Sequence, residues 1–182
     1  IYEPQVIFPM LVMLFSVVLF GAIVTVLPDV CTEMGFKNKS SFMLSVTLAS
    51  MTVRIFAGKW SDRWGRIPIV FLGLVLQLIA TIFLMKLSSP SEVIVASAIY
   101  GMGTGILSPV LFAWAVDLSD PQHRGRALSS LYIAMEAGIG AGAVFGAQLF
   151  ENSSSNISLV FGMTSISIFL GLLTVVLAWR KK

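Results

Sequence analysis

The sequence has little charge and few of the residues that enzymes use. Of its 182 residues, 12% are charged and 57% are hydrophobic, whereas soluble proteins average about 25% charged and about 45–50% apolar. The single cysteine, Cys31, excludes an internal disulfide and a cysteine-based metal site. The single histidine, His123, leaves no His/Cys ligand cluster. Because there is also no phosphate-binding loop and no nucleophile with a base at a suitable spacing, we predict neither an enzyme nor a metal or cofactor site.

What the sequence has instead is long apolar runs. A helix that crosses a bilayer needs about 20 predominantly apolar residues, and a β-barrel would show shorter alternating segments. The sequence therefore predicts an all-α membrane protein in contact with the lipid bilayer, with a single domain over residues 1–182. Its six transmembrane helices are predicted at 7–28, 41–58, 67–87, 91–116, 126–150 and 157–179.

The basic residues predict the orientation of the six helices. An even number of spans puts both termini on one side, and that side holds eight lysines and arginines. The opposite side holds three, Lys37, Lys39 and Lys86. By the positive-inside rule, both termini are expected in the cytoplasm, with the chain in a bacterial inner (plasma) membrane. The net charge of +3 is usual for such a protein and does not indicate a nucleic-acid partner.

Residues 58–66, Gly-Lys-Trp-Ser-Asp-Arg-Trp-Gly-Arg, form a charged break between two apolar runs. We interpret them as a short cytoplasmic loop whose two glycines mark a tight connection. Asp62 could pair with the N-terminus of a neighbouring helix, and Arg63 and Arg66 could pair with Asp117 at the end of span 4. Topology alone would explain the basic residues of this segment, but it requires neither of the two aspartates.

This segment resembles the loop between the second and third helices of the major facilitator superfamily, Gly-x-x-x-Asp-Arg-x-Gly-Arg. Residues 117–127 look like the next cytoplasmic turn of the same superfamily. The resemblance covers all six spans and implies one half of a twelve-helix fold, built as a 3+3 inverted repeat. It also implies a latch that holds the cytoplasmic side closed in the outward-facing state. The residues expected in this latch are Gly58, Asp62, Arg63, Gly65, Arg66, Asp117 and Arg124.

The resemblance implies a secondary active transporter that moves a small-molecule substrate by alternating access. Proton-coupled efflux by an antiporter is one form of transport that the resemblance allows. An arginine usual in the N-terminal half is replaced here by Ser97, and Arg54 and the basic C-terminus also favour the C-terminal half. The expected partner is then the missing N-terminal half or a second copy in a homodimer. The alternative is a non-transporting membrane scaffold or receptor with a similar fold.

Two charged residues lie within predicted spans. Glu136 is about ten residues into span 5, or about 15 Å along the helix and near the bilayer midplane. Carboxylates at that depth are costly and often functional, so we expect Glu136 either to couple transport to protons or to bond to neighbouring polar groups for packing. Arg54, in the last third of span 2, could extend toward the cytoplasm or pair with Asp117. We expect it to form an intramembrane ion pair in preference to a substrate contact.

Small and polar residues follow helical spacing in spans 4 and 5. In span 4, Tyr100, Thr104 and Ser108 could line a cavity or bond to neighbouring helices; the sequence favours neither. In span 5, three glycines form a ridge that permits close helix approach, on roughly the opposite face from Glu136. These glycines are Gly138, Gly142 and Gly146.

Overall fold

The computed structural model describes residues 4–35, 40–87, 89–151 and 153–181 and contains no strand in these ranges. Lys37, Lys39 and Lys182, which entered the prediction of orientation, lie outside them. The described residues form six long helices: α1 Ile7–Glu33, α2 Ser41–Trp64, α3 Arg66–Leu84, α4 Pro90–Leu118, α5 Arg124–Phe150 and α6 Ile157–Arg180. Each is long and apolar enough to cross a membrane, which confirms the prediction of an all-α membrane protein.

The prediction of a loop over residues 58–66 is wrong. Residues 58–64 continue α2, and Gly65 alone separates α2 from α3. A glycine inside a helix costs only about 1 kcal/mol relative to alanine, so Gly58 does not end the helix. Gly65 has a φ of 91°, a backbone conformation that side chains with a Cβ atom disfavour. The tight connection is therefore a single residue.

The first three helices and the last three form two related sets that pack mainly on each other. The helix α5 packs mainly on α1, just as α2 packs mainly on α4, and α3 and α6 pack on each other. Exchanging the first three helices for the last three preserves this pattern. Because successive spans alternate in direction, α1 and α4 run in opposite senses, so the two sets form the predicted 3+3 inverted repeat.

Glycines set the close approach between α1 and α5. Gly138, Gly142 and Gly146 all face α1. A methyl group on Gly142 would overlap the Val18 carbonyl, and one on Gly146 would lie 3.2 Å from the Cα atom of Ala22. The backbones of α1 and α5 therefore meet where side chains are absent, as is typical of helices that associate within a bilayer.

Replacing Gly142 with valine should separate α1 from α5. The added side chain meets backbone, which cannot rotate away, so we expect the free energy of unfolding to fall by at least about 1–3 kcal/mol. Thermal unfolding of the purified protein in detergent measures this change. Gly140→Val is the matched control, because a Cβ atom there would meet nothing within 4 Å. Equal destabilisation by the two variants would contradict the packing described.

Candidate functional site

Three charged side chains meet at the end of the bundle where α2 connects to α3. The Arg66 Nε donates a hydrogen bond to Asp117 Oδ2 at 2.8 Å, and its Nη1 donates to Asp62 Oδ1 and to Ser61 Oγ. The Ser61 hydroxyl in turn donates to the Gly58 carbonyl at 3.2 Å. We call Ser61, Asp62, Arg66 and Asp117 the Arg66 cluster. It joins the end of α2, the start of α3 and the end of α4.

The three charges of the Arg66 cluster oppose the dipoles of their own helices. Asp62 and Asp117 lie in the last turns of α2 and α4, where the helix end carries partial negative charge. Arg66 is the first residue of α3, where the partial charge is positive. None of these charges is therefore favoured by its own helix. Their mutual pairing offsets the unfavourable positions and makes each helix end depend on the others.

Solvent weakens these ion pairs. The side chains of Asp62 and Asp117 are 67% and 51% exposed, and that of Arg66 is 22% exposed. Exposed pairs of this kind contribute roughly 0–1 kcal/mol each. The cluster thus fixes a geometry between three helix ends without holding them firmly, and a modest competing interaction is enough to separate them.

The structure brings together only part of the predicted latch. Arg66, Asp62 and Asp117 meet, and Gly65 forms the connection between α2 and α3. Arg63 and Arg124 are exposed, and in the part of the chain that the structure describes no ion pair joins them to the cluster. A Cβ atom on Gly58 would meet nothing within 4 Å, so the packing here does not require a glycine at that position.

The ion pair expected for Arg54 does not form among the described residues. Arg54 is exposed on α2, and Asp117 is bonded to Arg66 instead. The reason is distance along the bundle. Ser50 on α2 contacts Gly105 on α4, and the two helices run in the same direction, so Arg54 is level with residue 109. Asp117 lies eight residues further, or about 12 Å.

Glu136 is likewise exposed and lies on the face of α5 that turns away from the glycine ridge. Within the described ranges no ion pair involves it. Arg54 and Glu136 therefore place one positive and one negative side chain on exposed faces within the apolar stretches of α2 and α5.

The three polar residues of α4 do not share one environment. The sequence leaves a cavity wall and a contact with neighbouring helices both open for Tyr100; it is 1% exposed and packs in the core, which disfavours the cavity wall. Thr104 and Ser108 are half-buried, and the Thr104 hydroxyl donates to the Gly101 carbonyl at 3.2 Å. These two residues therefore keep part of their surface exposed, whereas Tyr100 is turned inward.

Sequence reasoning missed an aromatic contact between α4 and α5. The rings of Phe112 and Tyr132 lie 5.1 Å apart between centroids and are tilted by 48°. Phe112 follows Ser108 by one helical turn, and Tyr132 precedes Glu136 by one turn, so each aromatic shares a helix face with a predicted polar residue. This spacing of one helical turn can be read from the sequence and could have indicated the contact. The contact brings α4 and α5 together at the level of this polar region.

An apolar crevice of about 270 Å³ lies between α1, α5 and α6. Its floor includes Gly138, Gly142 and Gly146, and its two most polar lining groups bond within the protein. The Thr164 hydroxyl donates to the Phe161 carbonyl and the Ser167 hydroxyl to the Phe15 carbonyl, each at 2.9 Å. The lining of the crevice is therefore mainly apolar, and both of these hydroxyl groups already donate their hydrogens within the protein. Among the described residues, no group of three His, Cys, Asp or Glu is placed to hold a metal ion.

Comparison with known proteins identifies the family. The profile of the Major Facilitator Superfamily matches residues 9–182. Multidrug resistance protein MdtL of Klebsiella pneumoniae (strain 342) is 32% identical over 107 residues, which are 58% of this chain and 27% of that protein. Multidrug resistance protein 2 of Bacillus subtilis (strain 168) is 24% identical over 157 residues, which are 81% of this chain and 39% of that protein. The chain therefore spans less than two thirds of the length of these relatives.

Solved structures show the same fold. The peptide transporter POT in complex with sulfate superposes with a TM-score of 0.76 at 22% identity, over 97% of this chain and 38% of that chain. A mutant of POT in complex with alafosfalin gives 0.70 at 26% identity, over 98% and 38%. The six helices are thus arranged as in part of a membrane transporter, and the chain is an integral membrane protein.

Proposed function

Because the chain belongs to the Major Facilitator Superfamily, we propose that it is one six-helix half of a secondary transporter that moves a small solute by alternating access. Family membership indicates a transporter and not an enzyme. The observation that supports the mechanism is the Arg66 cluster, in which weak ion pairs join three helix ends. Alternating access requires contacts at one end of a bundle that form in one state and separate in the other.

The proposed orientation puts the Arg66 cluster at the cytoplasmic face of a bacterial inner membrane, with both termini on that side. The cluster then closes the cytoplasmic end in the outward-facing state and opens when the site faces inward. A contribution of about 1 kcal/mol changes the ratio of two states by less than tenfold. Such a contact biases the equilibrium without locking it, which suits a transporter that must pass through both states in every cycle.

The relatives support export as the direction of transport. Those described above are named as multidrug resistance proteins, which favours a small-molecule substrate and efflux, and disfavours a scaffold or receptor. A second six-helix unit completes the pathway, and it is either the N-terminal half of a longer chain or a second copy of this one. It would cover the exposed faces of α2 and α5.

Glu136 is the proposed site of proton coupling. It lies within a membrane-spanning helix and is exposed. The contact of Phe112 with Tyr132 puts it about level with Ser108, a half-buried residue of α4. A carboxyl group at such a depth is stable when it is protonated, paired or in contact with water. A change of access alters its contact with water, so the group can bind a proton in one state and release it in the other.

Asp117→Asn should weaken the closed cytoplasmic end. Asparagine keeps the size of the side chain but loses the charge that pairs with Arg66, so we expect the ends of α2 and α4 to separate more often. Spin labels at positions 59 and 122, in a Cys31→Ser background, report this distance by pulsed electron resonance in lipid nanodiscs. The distribution should shift to longer distances in the variant.

The control for this measurement is Asp120→Asn. Asp120 lies three residues from Asp117 but bonds to the backbone N–H of Gln122 at 2.8 Å and not to Arg66. The control should retain the parent distribution. If Asp117→Asn gives the same distances as the parent protein, the cluster does not act as a latch.

Glu136→Gln should uncouple transport from the proton gradient. Glutamine cannot exchange a proton, so we expect the dependence of efflux on an imposed pH gradient to fall by about tenfold or more, as for loss of a required proton carrier. Uptake of a fluorescent dye into proteoliposomes measures the effect. Glu151→Gln is the control, because Glu151 is exposed at the C-terminal end of α5. Full gradient dependence in Glu136→Gln would exclude Glu136 as the coupling site.

A further inference from the structure

The apolar crevice between α1, α5 and α6 opens onto the lipid-facing surface of the protein. Between Leu159 and Leu177, every exposed side chain of α6 is apolar. In an integral membrane protein, such a face of a spanning helix meets the hydrocarbon chains of lipid. Side chains of this face and of α5 form the rim of the crevice, and each is at least 40% exposed: Phe145, Met163, Ile166 and Leu170. The crevice is therefore a recess that is continuous with the protein–lipid interface.

The crevice extends over one half of the membrane span. Its lining on α5 runs from Gly138, near the middle of the helix, to Leu149, next to its last residue. This distance is about 16 Å along the helix. Its lining on α6 runs from Val160, near the start of that helix, to Leu170, near the middle. The hydrocarbon core of a bilayer is about 30 Å thick, so the crevice has the length of the hydrocarbon region of one leaflet.

The chemistry of the lining excludes water and accepts hydrocarbon. Of the described residues that line the crevice, none is charged, and the hydroxyl groups of Thr164 and Ser167 donate within the protein. A buried water needs about two to four polar partners, whereas an apolar cavity of about 150 Å³ stays dry and binds benzene. The crevice measures about 270 Å³. If it were empty, its lining would lose van der Waals contacts that a hydrocarbon chain supplies.

We propose that this crevice is a binding site for one acyl chain of a membrane phospholipid. The chain enters between Leu149 and Val160, at the end of the bundle opposite the Arg66 cluster. It ends against Gly138 and Leu170, near the bilayer midplane. In the proposed orientation of the protein, the phospholipid belongs to the outer leaflet. The site is separate from the proposed transport mechanism, so either can fail without the other.

Small side chains create the recess and distinguish it from the rest of the lipid-facing surface. Ala141 on α5, together with Thr164 and Ser167 on α6, lines the crevice where larger side chains would fill it. A chain in the crevice contacts three helices at once, whereas a chain on the outer face of α6 contacts one. Because van der Waals attraction adds up over every atom in contact, the bound chain should exchange more slowly than the surrounding lipid.

The test uses two phosphatidylcholine probes that carry a photoreactive diazirine on one acyl chain, either next to the ester or at the chain terminus. The chain is reconstituted in phosphatidylcholine vesicles that contain a small fraction of one probe, and the labelled residues are identified by mass spectrometry. The ester-proximal probe should label Leu149 and Val160. The terminal probe should label Leu14 and Ser167, which are half-buried and line the crevice. Labelling of these residues should saturate at one probe per chain.

Ala141→Phe should block the site, because the added ring occupies the space of the acyl chain. We expect labelling of Leu14 and Ser167 by the terminal probe to fall at least about tenfold. Ala147→Phe is the matched control, since Ala147 is exposed on the same helix outside the crevice. The control should be labelled like the parent chain.

The proposal is wrong if the probes label only the exposed rim, if labelling rises with probe concentration without saturating, or if Ala141→Phe is labelled like Ala147→Phe. Half-buried lining residues that neither probe reaches would mean that a protein segment fills the crevice, which also overturns the proposal. The labelling pattern of the parent chain depends on no variant, so the test stands even if Ala141→Phe fails to fold.

Discussion

A charged side chain at the centre of a bilayer costs about 2.5–3.5 kcal/mol on insertion scales unless it is paired or in contact with water, and this cost accounts for where the charges of the chain lie. Most charged residues that the structure describes lie at or near helix ends, where water is available. The exceptions are Arg54 and Glu136, which lie within spans on exposed surface. The charges at the helix ends are therefore in contact with water or paired. The two charges within the membrane require a partner or a water-filled pathway.

The packing of the helices makes these exposed faces rigid. Glycines bring α5 against α1 and α2 against α4 at backbone distance, so each of the two peripheral helices is fixed along one side. Their other sides remain free to contact a second unit. In the proposed mechanism, the parts of the six-helix unit that glycines pack move together as a rigid body. The glycine contacts between α2 and α4 lie at Ser50–Gly105 and earlier, so the ends of α2 and α4, which the Arg66 cluster joins, separate locally.

The sequence was sufficient to predict the six helices, because long apolar runs have few other interpretations. It also predicted the ion pair between Arg66 and Asp117, because few carboxylates are available near that helix end. It did not predict that α2 continues through Gly58, since a glycine permits a helix as well as a turn. Nor did it predict the burial of Tyr100, because spacing places residues on one face without specifying which neighbours cover that face. The sequence also left open how far Arg54 lies from Asp117 along the bundle, because that distance depends on which residues of α2 and α4 are in contact.

The central claim is that the contact between the α2–α3 connection and the end of α4 must open during transport. Its most direct test is dye flux through proteoliposomes after cysteines at positions 66 and 117, in a Cys31→Ser background, are joined by a short cleavable bis-thiosulfonate linker. The linker replaces the ion pair between residues 66 and 117, which can separate, with a covalent connection that cannot. Flux should stop when the linker is in place and return when it is cleaved by a reductant. Undiminished flux with the linker intact would contradict the account.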